Sequence, residues 1–233
     1  DDKDEIEMIR KAIDQCGRDM VLSLSPGPAV LEEEKHLKAN ANMWRMTDDF
    51  WDVWEALYDM FERCEKWAPH VGAHHWPDCD MLPLRHIGIR SSEHGFSDRM
   101  TNFTKDEQKT MMTLWGVFRS PLMMGGEMRD NDEWTLSLLT NDELLMIHRD
   151  GIGARQIIRE DGIVVWYSHL LDGRDCLAVF NLNDDRKKIT YDPEDAGVIG
   201  KELEKEIWGQ EVTVEKGEIQ ALIPAHGCVC VLF

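Results

Sequence analysis

The chain has 233 residues, 42% of them hydrophobic and 30% charged, an ordinary globular balance and not that of a disordered segment. The formal net charge of −19 would repel a phosphate backbone, which argues against nucleic acid as a partner, and no apolar run reaches the roughly 18 residues needed to cross a membrane. None of the six cysteines forms a CxxC pair, so neither a zinc ribbon nor a dithiol redox motif is expected.

In chain order, Ile6, Ile9 and Ile13 recur at helical spacing ahead of Gly17 and predict a first helix. An apolar run, Met20 to Ser25, closed by Pro26-Gly27-Pro28, predicts a buried strand and its loop. A short helix over Glu32 to Leu37 and a strand over Met43 to Thr47 follow. Phe50 to Lys66 carries Trp54, Leu57, Phe61 and Cys64 on one face, as an amphipathic helix does. Trp76 to Leu84 reads as a proline-punctuated loop. Thr104-x-x-Glu107 and Thr140-x-x-Glu143 read as capping boxes before apolar helices, with a strand and loop between them at Ser120 to Gly126. Alternating strands and helices up to Asp150 predict an α/β barrel or a doubly wound sheet.

From Gly151 to Phe233 the signals are those of strands alone: 163–167, 176–182, 188–191, 206–208, 211–214, 219–223 and 228–233, with a tight turn at Asp172-Gly173. Such spacing predicts a small antiparallel sandwich. Cys228 and Cys230 alternate along the last strand, which should place both thiols on one buried face.

Three clusters hold residues that do chemistry. Trp44-Arg45-Met-Thr-Asp48-Asp49-Phe50-Trp51-Asp52 follows a predicted strand, the end of a barrel strand where active sites are built. Arg donates to hydroxyls and indoles stack on sugar faces, yet the two aspartates would equally serve to cap the next helix. His74-His75-Trp76-Pro77-Asp78-Cys79-Asp80-Met81 has metal-ligating types, but adjacency in sequence does not supply convergent ligands, and a sugar-binding loop fits better. Ser23-Leu24-Ser25-Pro26-Gly27 lacks the G-x-S-x-G of a nucleophile elbow and reads as a strand end lining a pocket.

The runs Cys16-Gly17-Arg18, Trp44-Arg45-x-x-x-Asp49, Trp76-x-Asp78-x-Asp80-Met81-Leu82 and Arg119-Ser120-Pro121-Leu122-Met123, in that order, resemble glycoside hydrolase family 27, whose best known members are α-galactosidases. The likeness is to bacterial members with Leu-Ser-Pro-Gly, where many eukaryotic members have Cys-Glu-Trp. It implies the second half of a (β/α)8 barrel over residues 1–150 and an antiparallel β-sandwich over 151–233, since a whole barrel takes about 250 residues by itself. It implies hydrolysis of terminal α-D-galactosides by a retaining two-carboxylate mechanism, with α-N-acetylgalactosaminidase or β-L-arabinopyranosidase activity as alternatives within the family, and a non-catalytic sugar-binding protein or an inert fragment as alternatives outside it.

By this resemblance Asp49 is the acid/base, with a share in that role for the adjacent Asp48 left open. Arg45, Asp80, Met81, Ser25 and Trp76 bind substrate, Ser25 at the place that sets tolerance at the sugar's C2. No cofactor or metal is implied. The family's nucleophile ends its fourth strand in a Lys-x-Asp run. No such run precedes the first helix, so the nucleophile is expected to be missing from this chain, with Asp1 or Asp2 as the lesser reading of a strand remnant. Ile147-His148-Arg149-Asp150 stands where the family usually has Ile-Asn-Gln-Asp, a departure that bears on packing. Half a barrel leaves strand edges open, so the chain alone is expected to aggregate or dimerise. The resemblance also suggests a secreted or periplasmic enzyme.

Overall fold

The computed structural model describes residues 3–88 and 97–233. Asp1 and Asp2 lie outside them, and so does any reading of those two as a strand remnant.

The first half is a parallel β/α array. Helix α1 (Lys3–Gln15) is followed by β1 (Ser23–Leu24), α2 (Glu34–Asn40), β2 (Met43–Arg45), α3 (Trp54–Trp67) and β3 (Trp76–Asp78). The strands lie in the order β1-β2-β3, all parallel, with Leu24 opposite Trp44 and Arg45 opposite Asp78. Proline cannot donate to a ladder, and Pro77 sits accordingly in a strand with only one strand neighbour in this sheet. The predicted strand at Ser120 to Gly126 is reduced to a parallel bridge between Leu82 and Met124, held by Leu82 N–H to Met123 O (2.8 Å) and Gly125 N–H to Leu82 O (2.9 Å). Four successive parallel segments with helices between them make the second half of a (β/α)8 barrel.

Local chemistry explains the starts of three helices. Helix α4 (Lys105–Phe118) opens on the expected capping box: Glu107 N–H donates to Thr104 Oγ1 at 3.2 Å, and Thr104 N–H to Glu107 Oε2 at 2.8 Å. The second capping box does not form. Thr140 Oγ1 donates back to Leu136 O, and Asn141 caps α6 (Asp142–Asp150) by accepting from Leu144 N–H at 2.9 Å. Thr140 is occupied because an unforeseen helix, α5 (Glu133–Leu139), ends against it under an Asp132 cap. In α1 only Ile6 is buried, and Ile9 of the apolar stripe is exposed. Trp76–Asp78 is strand, so the loop expected over Trp76 to Leu84 begins only after Asp78.

The second half is a β-sandwich. A five-stranded antiparallel sheet has the order β10 (Lys205–Glu206), β13 (Cys228–Leu232), β8 (Asp175–Asn181), β7 (Ile163–Leu170), β6 (Gly151–Glu160). It packs on a three-stranded sheet of β11 (Val212–Glu215), β12 (Glu218–Ile223) and β9 (Lys187–Tyr191). Strand β6 was not foreseen: it follows α6 without a break. Strand β13 is buried on both faces, and the two faces belong to different cores. Cys228, Cys230 and Leu232 join the barrel's core with Trp115 and Phe118, whereas Val229, Val231 and Phe233 join the sandwich interior with Ile219 and Ile223. Strand β8 divides the same way, with Cys176, Ala178 and Phe180 on one side and Leu177 and Val179 on the other. The large sheet is thus a middle layer at its centre, which explains why β8 and β13 read as continuous apolar runs.

Candidate active site

The site is built at the carboxyl ends of β1, β2 and β3. Helix α3 starts at Trp54, with extended Val53 before it and no side-chain cap. Asp48 and Asp49 therefore do not cap this helix. The loop between β2 and α3 holds them five or six residues ahead of it, which removes the purely structural account of the pair.

Arg45 ends β2 and organises the cluster. Its Nη2 donates to Asp49 Oδ1 at 2.9 Å and lies 3.3 Å from Asp80 Oδ2. The guanidinium is largely buried, whereas the Asp49 carboxylate is 77% exposed. Arg45 Nε is buried and makes no hydrogen bond among the described residues. A buried donor without an acceptor costs about 1–3 kcal/mol.

Asp80 is held from four sides. Its backbone is left-handed (φ 72°), a conformation Asp tolerates better than most residues. Its N–H donates to Asp78 Oδ1 (2.9 Å), its Oδ2 accepts from Phe50 N–H (2.8 Å), and its carbonyl accepts from Trp115 Nε1 (3.3 Å). Phe50 is itself buried against Trp115 and Phe103. Asp78, buried beneath Asp80, belongs to the Trp76–Leu82 motif, and the family resemblance implies no role for it. Burial raises its carboxyl to about 6, with the Asp80 N–H pulling it back, the Asp80 charge adding to the rise and Arg45 opposing it.

The other expected residues are distributed unevenly. Ser25 follows β1 and is exposed at the same end of the sheet. Its loop is pressed onto β2: Ala29 N–H donates to Arg45 O at 2.8 Å, and a Cβ on Gly27 would stand 2.4 Å from Thr47 O. Met81 follows Asp80 directly, and its thioether sulfur fills the space over Gly125, 2.6 Å from where a Cβ would fall. Trp76 is not brought to the cluster. It begins β3, at the opposite end of the strand from Asp78, and its ring lies 4.9 Å from the Arg119 guanidinium. His148 fills a structural place near that end, Nε2 2.6 Å from Ser120 O. Among the described residues no group of three or more His, Cys, Asp or Glu stands so as to hold a metal ion, and no helix is long and apolar enough to cross a membrane.

The chain belongs to the α-galactosidase family, glycoside hydrolase family 27. Residues 2–150 match the family model described as alpha galactosidase A, and residues 160–233 match the alpha galactosidase C-terminal beta sandwich domain. The fold superposes with a TM-score of 0.94 on a family 27 β-L-arabinopyranosidase from Geobacillus stearothermophilus, a variant solved in complex with arabinose. That protein is 55% identical, and the match covers 99% of this chain and 54% of that one. Among curated relatives, an α-galactosidase of Oryza sativa is 23% identical over 80% of this chain and 42% of its own length. Alpha-galactosidase D of Emericella nidulans is 26% identical over 81% of this chain and 27% of its own length. The chain thus spans about half the length, or less, of these relatives.

Proposed function

We propose that this chain supplies the acid/base side of a retaining glycosidase site for terminal sugars of the galacto configuration, with β-L-arabinopyranosides as the preferred substrates and α-D-galactosides as the second. The two sugars present the same ring hydroxyls and the same anomeric geometry; arabinopyranose lacks the exocyclic CH2OH. The 55% identity with a β-L-arabinopyranosidase, against 23% and 26% for α-galactosidases, favours the smaller sugar.

One observation carries the reading: a single Arg45 nitrogen lies within 3.3 Å of both Asp49 and Asp80, one carboxylate exposed and one locked. An exposed carboxylate on a loop is placed to exchange protons with a substrate oxygen, whereas Asp80, committed to Arg45 and to Phe50 N–H, is placed to accept from sugar hydroxyls. In the first step Asp49 gives its proton to the glycosidic oxygen while a second carboxylate attacks the anomeric carbon. In the second, Asp49 takes a proton from water, which releases the sugar with retained configuration. By the family resemblance we assign the attacking carboxylate to the end of the barrel's fourth strand, in a Lys-x-Asp run that does not precede α1 in this chain. Arg45 Nη2, Met81 and the Ser25 loop complete the wall available from this chain.

Comparing kcat/KM for the p-nitrophenyl β-L-arabinopyranoside and α-D-galactopyranoside, in the intact enzyme, tests the assignment. A preference for the arabinoside of about tenfold or more is expected, since one CH2OH changes discrimination by about 1–3 kcal/mol. A preference for the galactoside would return the enzyme to the α-galactosidases, and hydrolysis of neither would set the glycosidase reading aside.

A further inference from the structure

A group that must deliver a proton to one glycosidic oxygen needs its backbone held, because a misplacement of about 1 Å can cost about 100-fold in rate. Asp49 lies on a loop outside any helix or strand. Phe50 anchors the loop just after it, by its ring and by its N–H to Asp80.

The next anchor is Asp52, only 2% exposed. Both its oxygens are taken by Arg99 in a bidentate fork, Nη1 to Oδ2 at 2.6 Å and Nη2 to Oδ1 at 2.8 Å, and Asn102 N–H donates to Oδ2 as well. Burial pushes the Asp52 carboxyl up, but Arg99 and the Asn102 N–H outweigh it and leave the group below its ordinary range.

Arg99 stands on β5 (Arg99–Met100), which pairs antiparallel with β4 (His86–Ile87), Ile87 opposite Arg99. That ribbon is fixed in turn by His86. One ring nitrogen faces Asp98, and the other lies 2.6 Å from Asp130 of the segment after Met124. Hydrogen bonds accepted by Asp98 and then Asp130 raise the His86 imidazole, which favours the charged ring that donates to both. The steps of the sugar reaction make no use of Asp52, Arg99 or His86.

We propose that Arg99 is a positioning residue for proton transfer at Asp49, acting through Asp52 to hold the 48–53 loop against the β4–β5 ribbon. This rests on the reading of Asp49 as the acid/base.

Leaving groups separate the two claims. In the intact enzyme, kcat/KM for a 2,4-dinitrophenyl glycoside depends little on a proton donor, whereas that for an alkyl glycoside depends on it strongly. Asp49→Ala should lose far more on the alkyl substrate than on the activated one. Arg99→Met should show the same asymmetry, about 10- to 100-fold, and Arg99→Lys should recover part of it. Equal loss on both substrates in Arg99→Met, or loss on neither, while Asp49→Ala keeps its asymmetry, overturns the positioning role alone. Absence of asymmetry in Asp49→Ala overturns the Asp49 reading and the proposal with it. If Arg99→Met folds poorly, hydrogen exchange in Arg99→Lys decides. Faster exchange at the Phe50 amide with α4 unchanged supports the proposal, and unchanged exchange at Phe50 contradicts it.

Discussion

Arg45 and Asp80 face each other from the ends of neighbouring parallel strands, Nη2 3.3 Å from Oδ2, and that same carboxylate oxygen accepts the N–H of Phe50 at 2.8 Å. Asp80 is therefore both a counter-charge for the site and a clasp for the loop that carries Asp49. Asp80→Asn keeps an acceptor for Phe50 and tolerates the left-handed backbone, so it should stay folded while weakening sugar binding. Asp80→Ala loses the clasp, leaves Phe50 N–H unpaired and should cost about 2–4 kcal/mol more in urea unfolding than the Asn variant. Equal stability of the two variants would mean that the clasp contributes nothing.

Beneath that clasp, Asp78 has its carboxyl raised to about 6 by burial. Its unfolded value is near 3.9, so the folded chain holds the proton more tightly. Between about pH 4 and 6 the unfolded state gains from ionisation and the folded state does not. Stability therefore falls over that window, and the whole penalty, on the order of 2–3 kcal/mol, is present above pH 6. Asp78→Asn keeps an oxygen for the Asp80 N–H and removes the penalty. The variant should gain stability at pH 7.5 by an amount that disappears at pH 4. Urea denaturation at the two pH values checks this, and a gain equal at both would refute the burial account.

The sandwich is fastened to the barrel at His226. Its imidazole lies flat on the Trp54 indole, centroids 3.6 Å apart. Nδ1 is 2.7 Å from Glu107 Oε1, and its carbonyl accepts from Thr110 Oγ1 at 2.7 Å. Glu107 is buried and also closes the capping box of α4. His226→Ala strips one Glu107 oxygen of its partner and removes the stacked ring, and should cost about 2–4 kcal/mol. Trp54→Ala should cost less, because Glu107 keeps its hydrogen bond. Thermal unfolding of both variants at pH 7 checks the order.

Trp76 begins β3 beside Arg119, away from the Arg45 cluster. Trp76→Phe should therefore lower stability by about 1 kcal/mol through the weaker cation–π contact and leave KM for glycosides unchanged. A severalfold rise in KM with unchanged stability would place Trp76 in the sugar site instead.

Much of this fold could be read from residue patterns because local chemistry decides it. The Thr104–Glu107 box, the apolar face of α3 and the shared buried face of Cys228 and Cys230 each follow from a short stretch of sequence. What escaped depends on distance. Gly151 and Gly153 look like breakers, yet Gly151 pairs with Leu170 of β7 and left-handed Gly153 falls at an irregularity between Ile152 and Arg155, after which the ladder resumes. Thr140 loses its capping role to a helix that the composition of 133–139 did not announce. At the site, the spacing Arg45-x-x-x-Asp49 was legible, but its alternative as a helix cap was excluded only by the start of α3 at Trp54. The Arg99–Asp52 fork joins residues 47 positions apart and leaves no local trace. The expectation that open strand edges drive association stays a proposal, which light scattering of the isolated chain would test.

In the proposed reaction Asp49 moves the proton. In the intact enzyme, Asp49→Ala assayed on an activated aryl glycoside with and without sodium azide tests it most directly. The account predicts turnover slowed by about 100-fold or more, partly restored by azide with formation of a glycosyl azide of retained configuration, because a small anion can attack the glycosyl–enzyme without a general base. A variant as active as the parent, or one that azide leaves unmoved, would show that the acid/base is another residue.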